Sequence, residues 1–158
     1  MDYLWSPWRM EYILSPKPDE GCIFCSGLKL EDGLDNLIVF RGPNAFLMLN
    51  RFPYTNGHLM VVPYQHQPSL DLLDTGSRLD IMDQAARALQ VLDSLYKPQG
   101  YNLGINIGGA AGAGILDHVH LHVVPRWVGD TNFMSSVAQT RVLPELLEET
   151  YRRVRDAW

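Results

Sequence analysis

A chain of 158 residues, 46% hydrophobic and 20% charged, has the balance of an ordinary soluble globular protein and is expected to form one domain, 1–158. Its net charge of −5 gives no global attraction to a nucleic-acid polymer. No apolar run nears the roughly 20 residues that span a bilayer. No basic-then-apolar leader opens the chain, so a cytoplasmic protein without a membrane partner is expected, with its two cysteines as thiols.

Residues 1–20 carry Trp5, Trp8, Pro7, Pro16 and Pro18 and read as an extended arm with anchoring aromatics. Two strands follow, Leu37–Phe40 and Ala45–Leu49, joined by the turn Gly42-Pro43-Asn44. The turn pair Asn56-Gly57 opens a third strand, His58–Val62, which Pro63 ends. Ser77–Tyr96 is the longest helical pattern. Met82, Ala85, Ala86, Leu89, Leu92 and Tyr96 form its expected buried stripe, and Ser77 with Asp80 forms a weak capping signature. Pro98 and Gly100 stop the helix, and Tyr101–Ile107 is a fourth strand. A last amphipathic helix, about 143–156, carries Leu143, Leu146, Leu147, Tyr151 and Val154 on one side. Short turns between the early strands favour antiparallel pairing. The expected class is α+β, with helices on one face of an antiparallel sheet.

The densest signal is His118-Val119-His120-Leu121-His122, with Val123 and Val124 after it; it holds three of the chain's five histidines. Alternation is the strand period, so the three imidazoles share one face while the aliphatics bury the other. Imidazole exchanges protons near neutral pH, attacks electrophiles and binds metals. The stretch is therefore a catalytic surface or a metal site, against a bland reading as ordinary exposed or core histidines. The loop before it, Gly108–Gly114, is followed by a strand, so it does not fit a dinucleotide fingerprint. Its backbone N–H groups, those of Gly112, Ala113 and Gly114 included, could converge on a phosphate. The plainer alternative is a flexible linker.

From about Cys22 to Trp127 the chain resembles the histidine triad (HIT) family. The resemblance rests on Asn50, on His58 eight residues later, on the helix, on Asn106-Ile107-Gly108 and on the alternating histidines. It implies an antiparallel sheet of about five strands with a long helix and a C-terminal helix. It also implies nucleotidyl transfer or hydrolysis at a nucleotide's α-phosphate. By resemblance His120 is the nucleophile, His122 bonds phosphate oxygens, and His58 completes the histidine cluster, which includes His118, behind the nucleophile. Asn50 holds ribose hydroxyls, and Asn106 contacts phosphate or leaving group. Family members commonly pair through the long helix and an edge strand into a continuous sheet. That implies a symmetric homodimer and removes an exposed edge.

Two departures stand out. Ala113-Gly114-Ile115 occupies a place where many members carry glutamine or serine, and the loop from Asn106 to His118 is one residue longer than in the hydrolase branches. With Trp5-Ser-Pro-Trp-Arg-Met10 and the stretch Pro125–Phe133, the chain looks most like the bacterial branch containing diadenosine tetraphosphate phosphorylases. Arg9 and Arg126 are candidates for positive charge at the pocket mouth, with solvated surface arginines as the alternative.

Cys22-Ile-Phe-Cys25 fits half a zinc site, a redox dithiol or two buried thiols. A redox thiolate needs a helix start, usually after a strand; before Cys22, Pro16, Pro18 and Gly21 argue for a loop rather than a strand. His66 and His118 could complete a zinc tetrahedron, and the family resemblance supports that set for a structural ion. No organic cofactor is expected. Three functions remain in view. The first is nucleotidyl transfer through His120, with phosphate as acceptor (phosphorolysis of diadenosine polyphosphates) or with water (a dinucleoside polyphosphate hydrolase or phosphoramidase). The others are a nucleotide-binding partner module with little turnover, and a purely metal-binding protein.

Overall fold

The computed structural model describes residues 21–130 and 144–158. Their elements are α1 (Ile23–Gly27), β1 (Ile38–Arg41), β2 (Ala45–Leu49), β3 (Leu59–Pro63), α2 (Thr75–Tyr96), β4 (Gly100–Ile105), β5 (Leu121–Arg126) and α3 (Leu147–Ala157). The strands form one five-stranded sheet in the order β1-β2-β3-β5-β4, and every neighbouring pair is antiparallel. The expected α+β class with a five-stranded antiparallel sheet is the one observed. The arm at 1–20 and Leu143 lie outside the described residues.

Strand alternation divides the protein in two. Ala45, Leu47 and Leu49 of β2, Leu59 and Val61 of β3, and Val119, Leu121 and Val123 around β5 face α2 and α3 in one core. Phe46, Met60 and Val62 point the other way and join Phe24 and Ile38 in a smaller cluster. Both long helices thus cover one face, which leaves the opposite face for α1 and the histidines.

The buried stripe of α2 is rotated from the expected one. Ser77, Ile81, Gln84, Ala85, Ala88, Val91 and Leu92 are buried, while Met82 is 55% exposed. Polar partners explain the shift. Gln84 Nε2 donates to the Ala45 carbonyl at 2.8 Å. Asp80 accepts from the amides of Asn44 and Ala45, both at 2.8 Å. These residues tie α2 to the β1–β2 turn, so the face that packs inward is less apolar than periodicity alone requires. The cap is Asp74, whose side chain accepts from the Ser77 amide at 2.6 Å, and the helix starts at Thr75. Lys97 in the left-handed region ends it.

Gly57 stands where the chain expects a turn. Its φ is +74°, and a Cβ there would meet Leu92 Cδ2 at 2.9 Å. Only glycine fits this close approach, which delivers His58 to the start of β3. In α3, Thr150, Tyr151 and Val154 are buried, whereas Leu146 is 79% exposed and precedes the helix. Cys22 is the N-cap of the short helix α1 and Cys25 lies within it; Pro16 and Pro18, in the loop expected before Cys22, lie outside the described residues.

Candidate functional site

The alternating histidines begin ahead of β5, where the Val119 amide donates to the Gln67 carbonyl at 2.7 Å. Val119, Leu121 and Val123 enter the helix-side core, so His118, His120 and His122 share the other face, as their period requires. His118 and His120 are buried.

Each ring is oriented by a partner that fixes where its proton sits. His120 Nδ1 lies 3.0 Å from the His118 carbonyl, which can only accept. Nδ1 therefore carries the proton and Nε2 keeps a bare lone pair. Burial pushes the His120 imidazole below its ordinary pKa, against the opposing pull of that carbonyl, so the neutral ring is favoured. His58, also buried, has the reverse arrangement: its Nδ1 accepts the Tyr54 amide at 3.1 Å. A backbone N–H can only donate, so the His58 proton is on Nε2, which faces His122 Nδ1 at 2.9 Å. His122 then accepts at Nδ1 and carries its own proton on Nε2. The rings of His120 and His122 stand 4.8 Å apart, nearly perpendicular. A lone pair on one imidazole thus neighbours an N–H on the next, a pairing suited to attack on an anionic electrophile. His58 stands behind His122 rather than behind His120.

Cys22, Cys25, His66 and His118 form a second cluster, in which one ligand atom from each lies within 4.8 Å of all the others. Cys22 Sγ is 3.2 Å and Cys25 Sγ 3.7 Å from His118 Nδ1, and Cys25 Sγ is 3.4 Å from His66 Nδ1. Sulfur and nitrogen at zinc bonding distances on a tetrahedron are about 3.6 Å apart. His118 Nε2 donates to the Pro63 carbonyl at 2.8 Å, which leaves Nδ1 bare and turned to the sulfurs. Burial raises the Cys25 thiol pKa, and Cys22 beside it adds to the rise. A bound cation reverses that cost. The donor set fits zinc.

The remaining expected residues are distributed unevenly. Asn50 Oδ1 accepts the Phe52 amide at 2.9 Å, and its amide nitrogen reaches His58 Nε2 only at 3.5 Å. Gly104 pairs with His122 and Ile105 with Leu121; continuing that register sets Asn106 opposite His120 on the same face. In the glycine loop, around a 3-10 turn at Gly109–Ala111, the Ala111 and Ala113 amides donate to the Gly108 carbonyl and the Gly112 amide to that of Gly109. Any anion cradle must then draw on the amides nearer Gly114. Arg126 is not a pocket cation. It forms a two-pronged pair with Asp130 at 2.6 and 2.8 Å and donates to Asn102 at 2.6 Å. Six residues along a strand, at 3.3 Å each, also carry it about 20 Å from His120. Arg9 lies outside the described residues.

Two contributors escape a sequence reading. The Phe24 ring, buried between the cysteines, meets His118 and His120 edge-on at 5.3 and 5.1 Å. Tyr54 lies over His58 and His122, at 4.6 and 6.0 Å between ring centroids. Phe24's place inside the Cys-x-x-Cys segment was the one available hint.

A sheet of this order with alternating histidines on its free face defines a class, and residues 32–128 match the HIT domain. The chain belongs to that family. It is 36% identical over 165 residues to the AP-4-A phosphorylase of Mycobacterium tuberculosis, covering 98% of this chain and 83% of that one. It is 28% identical over 93 residues to the asymmetrical bis(5'-nucleosyl)-tetraphosphatase of Schizosaccharomyces pombe, covering 59% of this chain and 50% of that one. The solved structure of a zinc-bound histidine triad family protein from Mycobacterium smegmatis matches with a TM-score of 0.69 at 28% identity, over 86% of this chain and 91% of that one.

Proposed function

We propose that this enzyme splits diadenosine polyphosphates by nucleotidyl transfer through His120, with inorganic phosphate as the final acceptor. The observation that carries the reading is the His120 ring, whose Nδ1–H is tied to the His118 carbonyl so that Nε2 is free to attack. The Nε2 lone pair forms a bond to the α-phosphorus, and the bond from that phosphorus to the bridging oxygen breaks. Diadenosine tetraphosphate thereby releases adenosine triphosphate and leaves adenylyl-His120. The positive charge that develops on the ring is offset by the carbonyl at Nδ1. His122 Nε2–H donates to a non-bridging oxygen, and His58 behind it keeps that proton in place. Phosphate then attacks the same phosphorus, yielding adenosine diphosphate and restoring the imidazole. Asn106 contacts phosphate or leaving group, the loop at Gly112, Ala113 and Gly114 borders it, and Asn50 holds the ribose.

Likeness to the M. tuberculosis phosphorylase over nearly the whole chain supports phosphate as acceptor. Likeness to the S. pombe tetraphosphatase supports water as the second choice. Product analysis decides. Diphosphate plus triphosphate is expected with phosphate present, and monophosphate plus triphosphate at saturating phosphate overturns the phosphorylase reading. His120→Ala should lose turnover and keep its fold; a near-wild-type rate would overturn the covalent mechanism.

Cys22, Cys25, His66 and His118 are proposed to hold a structural zinc. Two thiolates and two imidazoles close its coordination, so the ion supplies rigidity rather than an activated water. The chain is read as a cytoplasmic homodimer with a single domain at 1–158. Leu79 and Met82 on α2 and Leu103 on β4 are exposed apolar groups suited to a shared interface. No helix among the described residues is long and apolar enough to cross a membrane.

A further inference from the structure

We infer that Tyr54 is a positioning residue for the phosphate-facing proton of His122, acting through His58; this rests on the role proposed above for His122. Tyr54 belongs to the connection between β2 and β3, and it touches the histidine pair in two independent ways. Its amide donates to His58 Nδ1 at 3.1 Å, which forces the His58 proton to Nε2. Its ring covers His58 at 4.6 Å between centroids and 37° between planes, and covers His122 at 6.0 Å and 29°. The two imidazoles themselves are 5.1 Å apart and inclined by 50°, joined by the 2.9 Å bond between His58 Nε2 and His122 Nδ1.

The connection is anchored so that this cover cannot swing away. The Asn50 amide donates to the His58 carbonyl at 3.0 Å, closing the base of the loop. Thr55 Oγ1 donates to the Pro125 carbonyl at 2.8 Å, pinning the residue after Tyr54 to the far part of β5. The His58 amide donates back to the Thr55 carbonyl at 3.3 Å. Gly57 packs against Leu92 with no space for a side chain. Tyr54 is thus fixed from both sides of the histidines it covers.

The chemical consequence concerns which nitrogen of His122 holds the proton. A neutral imidazole in contact with water interconverts between two tautomers, and only one presents an N–H to the phosphate. The bond from His58 selects that form, and an aromatic ring over the pair excludes the water that competes for His122 Nδ1. Both cover contacts are made by the ring, so phenylalanine should preserve the function while an aliphatic side chain should not.

The test compares Tyr54→Phe, Tyr54→Leu and Tyr54→Ala on diadenosine tetraphosphate with phosphate. It reads kcat and KM separately and records the tautomers of His58 and His122 by nitrogen-15 NMR. Losing one transition-state donor costs on the order of 10²–10³ in kcat, so loosening it should cost about 10–100-fold. The expected result is kcat within about twofold of wild type for Tyr54→Phe. For Tyr54→Leu, kcat should drop about 10–100-fold at little-changed KM while His122 becomes a tautomer mixture. Tyr54→Leu decides the matter if the alanine variant does not fold. His122→Phe serves as the control. If it keeps full turnover, the role given to His122 fails and the inference falls with it. If His122→Phe loses turnover while Tyr54→Leu keeps wild-type kcat and a single tautomer, the inference alone is overturned. A rise in KM at constant kcat also overturns it, because the ring would then be a substrate contact.

Discussion

Chelating the zinc proposed for Cys22, Cys25, His66 and His118, or replacing Cys25 by serine, should lower the melting temperature by an amount that can be worked out beforehand. Three of the four sulfur–nitrogen pairs already stand near tetrahedral separation, at 3.2, 3.4 and 3.7 Å, and all four ligand atoms lie within 4.8 Å of one another. The proposed zinc would therefore bind the folded chain with little rearrangement, whereas the unfolded chain scatters ligands that are up to 96 residues apart. With free zinc about 1,000-fold above its dissociation constant, the folded state gains about 4 kcal/mol. For a chain of this size each kcal/mol is worth about 2–4 °C, so the expected drop is about 8–16 °C. The assay is thermal unfolding with and without chelator, on protein purified without a metal-affinity tag, beside elemental analysis. Wild type should carry about one zinc per chain and show the drop. Cys25→Ser should start from the lower value and respond little to chelator. Wild-type protein with titratable thiols, no zinc and an unchanged melting temperature would refute the reasoning.

His58→Leu should reduce kcat by up to about 10²–10³-fold, because His122 Nδ1 loses the donor that selects its tautomer; steady-state kinetics check it. The same variant leaves the Tyr54 amide without its partner and should cost about 1–3 kcal/mol in urea unfolding. Tyr151→Phe removes a buried bond to the Ile38 carbonyl at 3.0 Å and should cost about 1–2 kcal/mol in the same assay without changing turnover. Glu145 gives a pH prediction. Burial raises its pKa, but hydrogen bonds from Tyr96, Thr150 and Arg153 outweigh that and hold the carboxyl below its reference of 4.5. Its folded pKa is depressed, so its stabilisation is present above 4.5 and lost as pH falls through the folded value. The stability gap between wild type and Glu145→Gln should therefore be constant above that pH and narrow below it.

Much of this protein is written in local pattern. The strand period of Ala45–Leu49 and of His118–His122 assigned each side chain to a face, because successive residues on a strand point oppositely wherever the strand lies. Asn56-Gly57 marked the turn that delivers His58. The pairing of Cys22 and Cys25 with His66 and His118 was reachable by asking which ligands remained without another task. Periodicity failed on α2, where Asp80 and Gln84 are called inward by backbone groups of the β1–β2 turn. It could not foresee that Arg126 is held by Asp130 and Asn102. The proton positions were beyond sequence altogether. They depend on the carbonyls of His118 and Pro63 and on the amide of Tyr54. Every residue type offers the same backbone donor and acceptor, so a sequence does not mark which of them will meet a histidine ring. Only the folded chain, by bringing Pro63 to His118 and His58 to His122, decides which nitrogen can attack and which can donate.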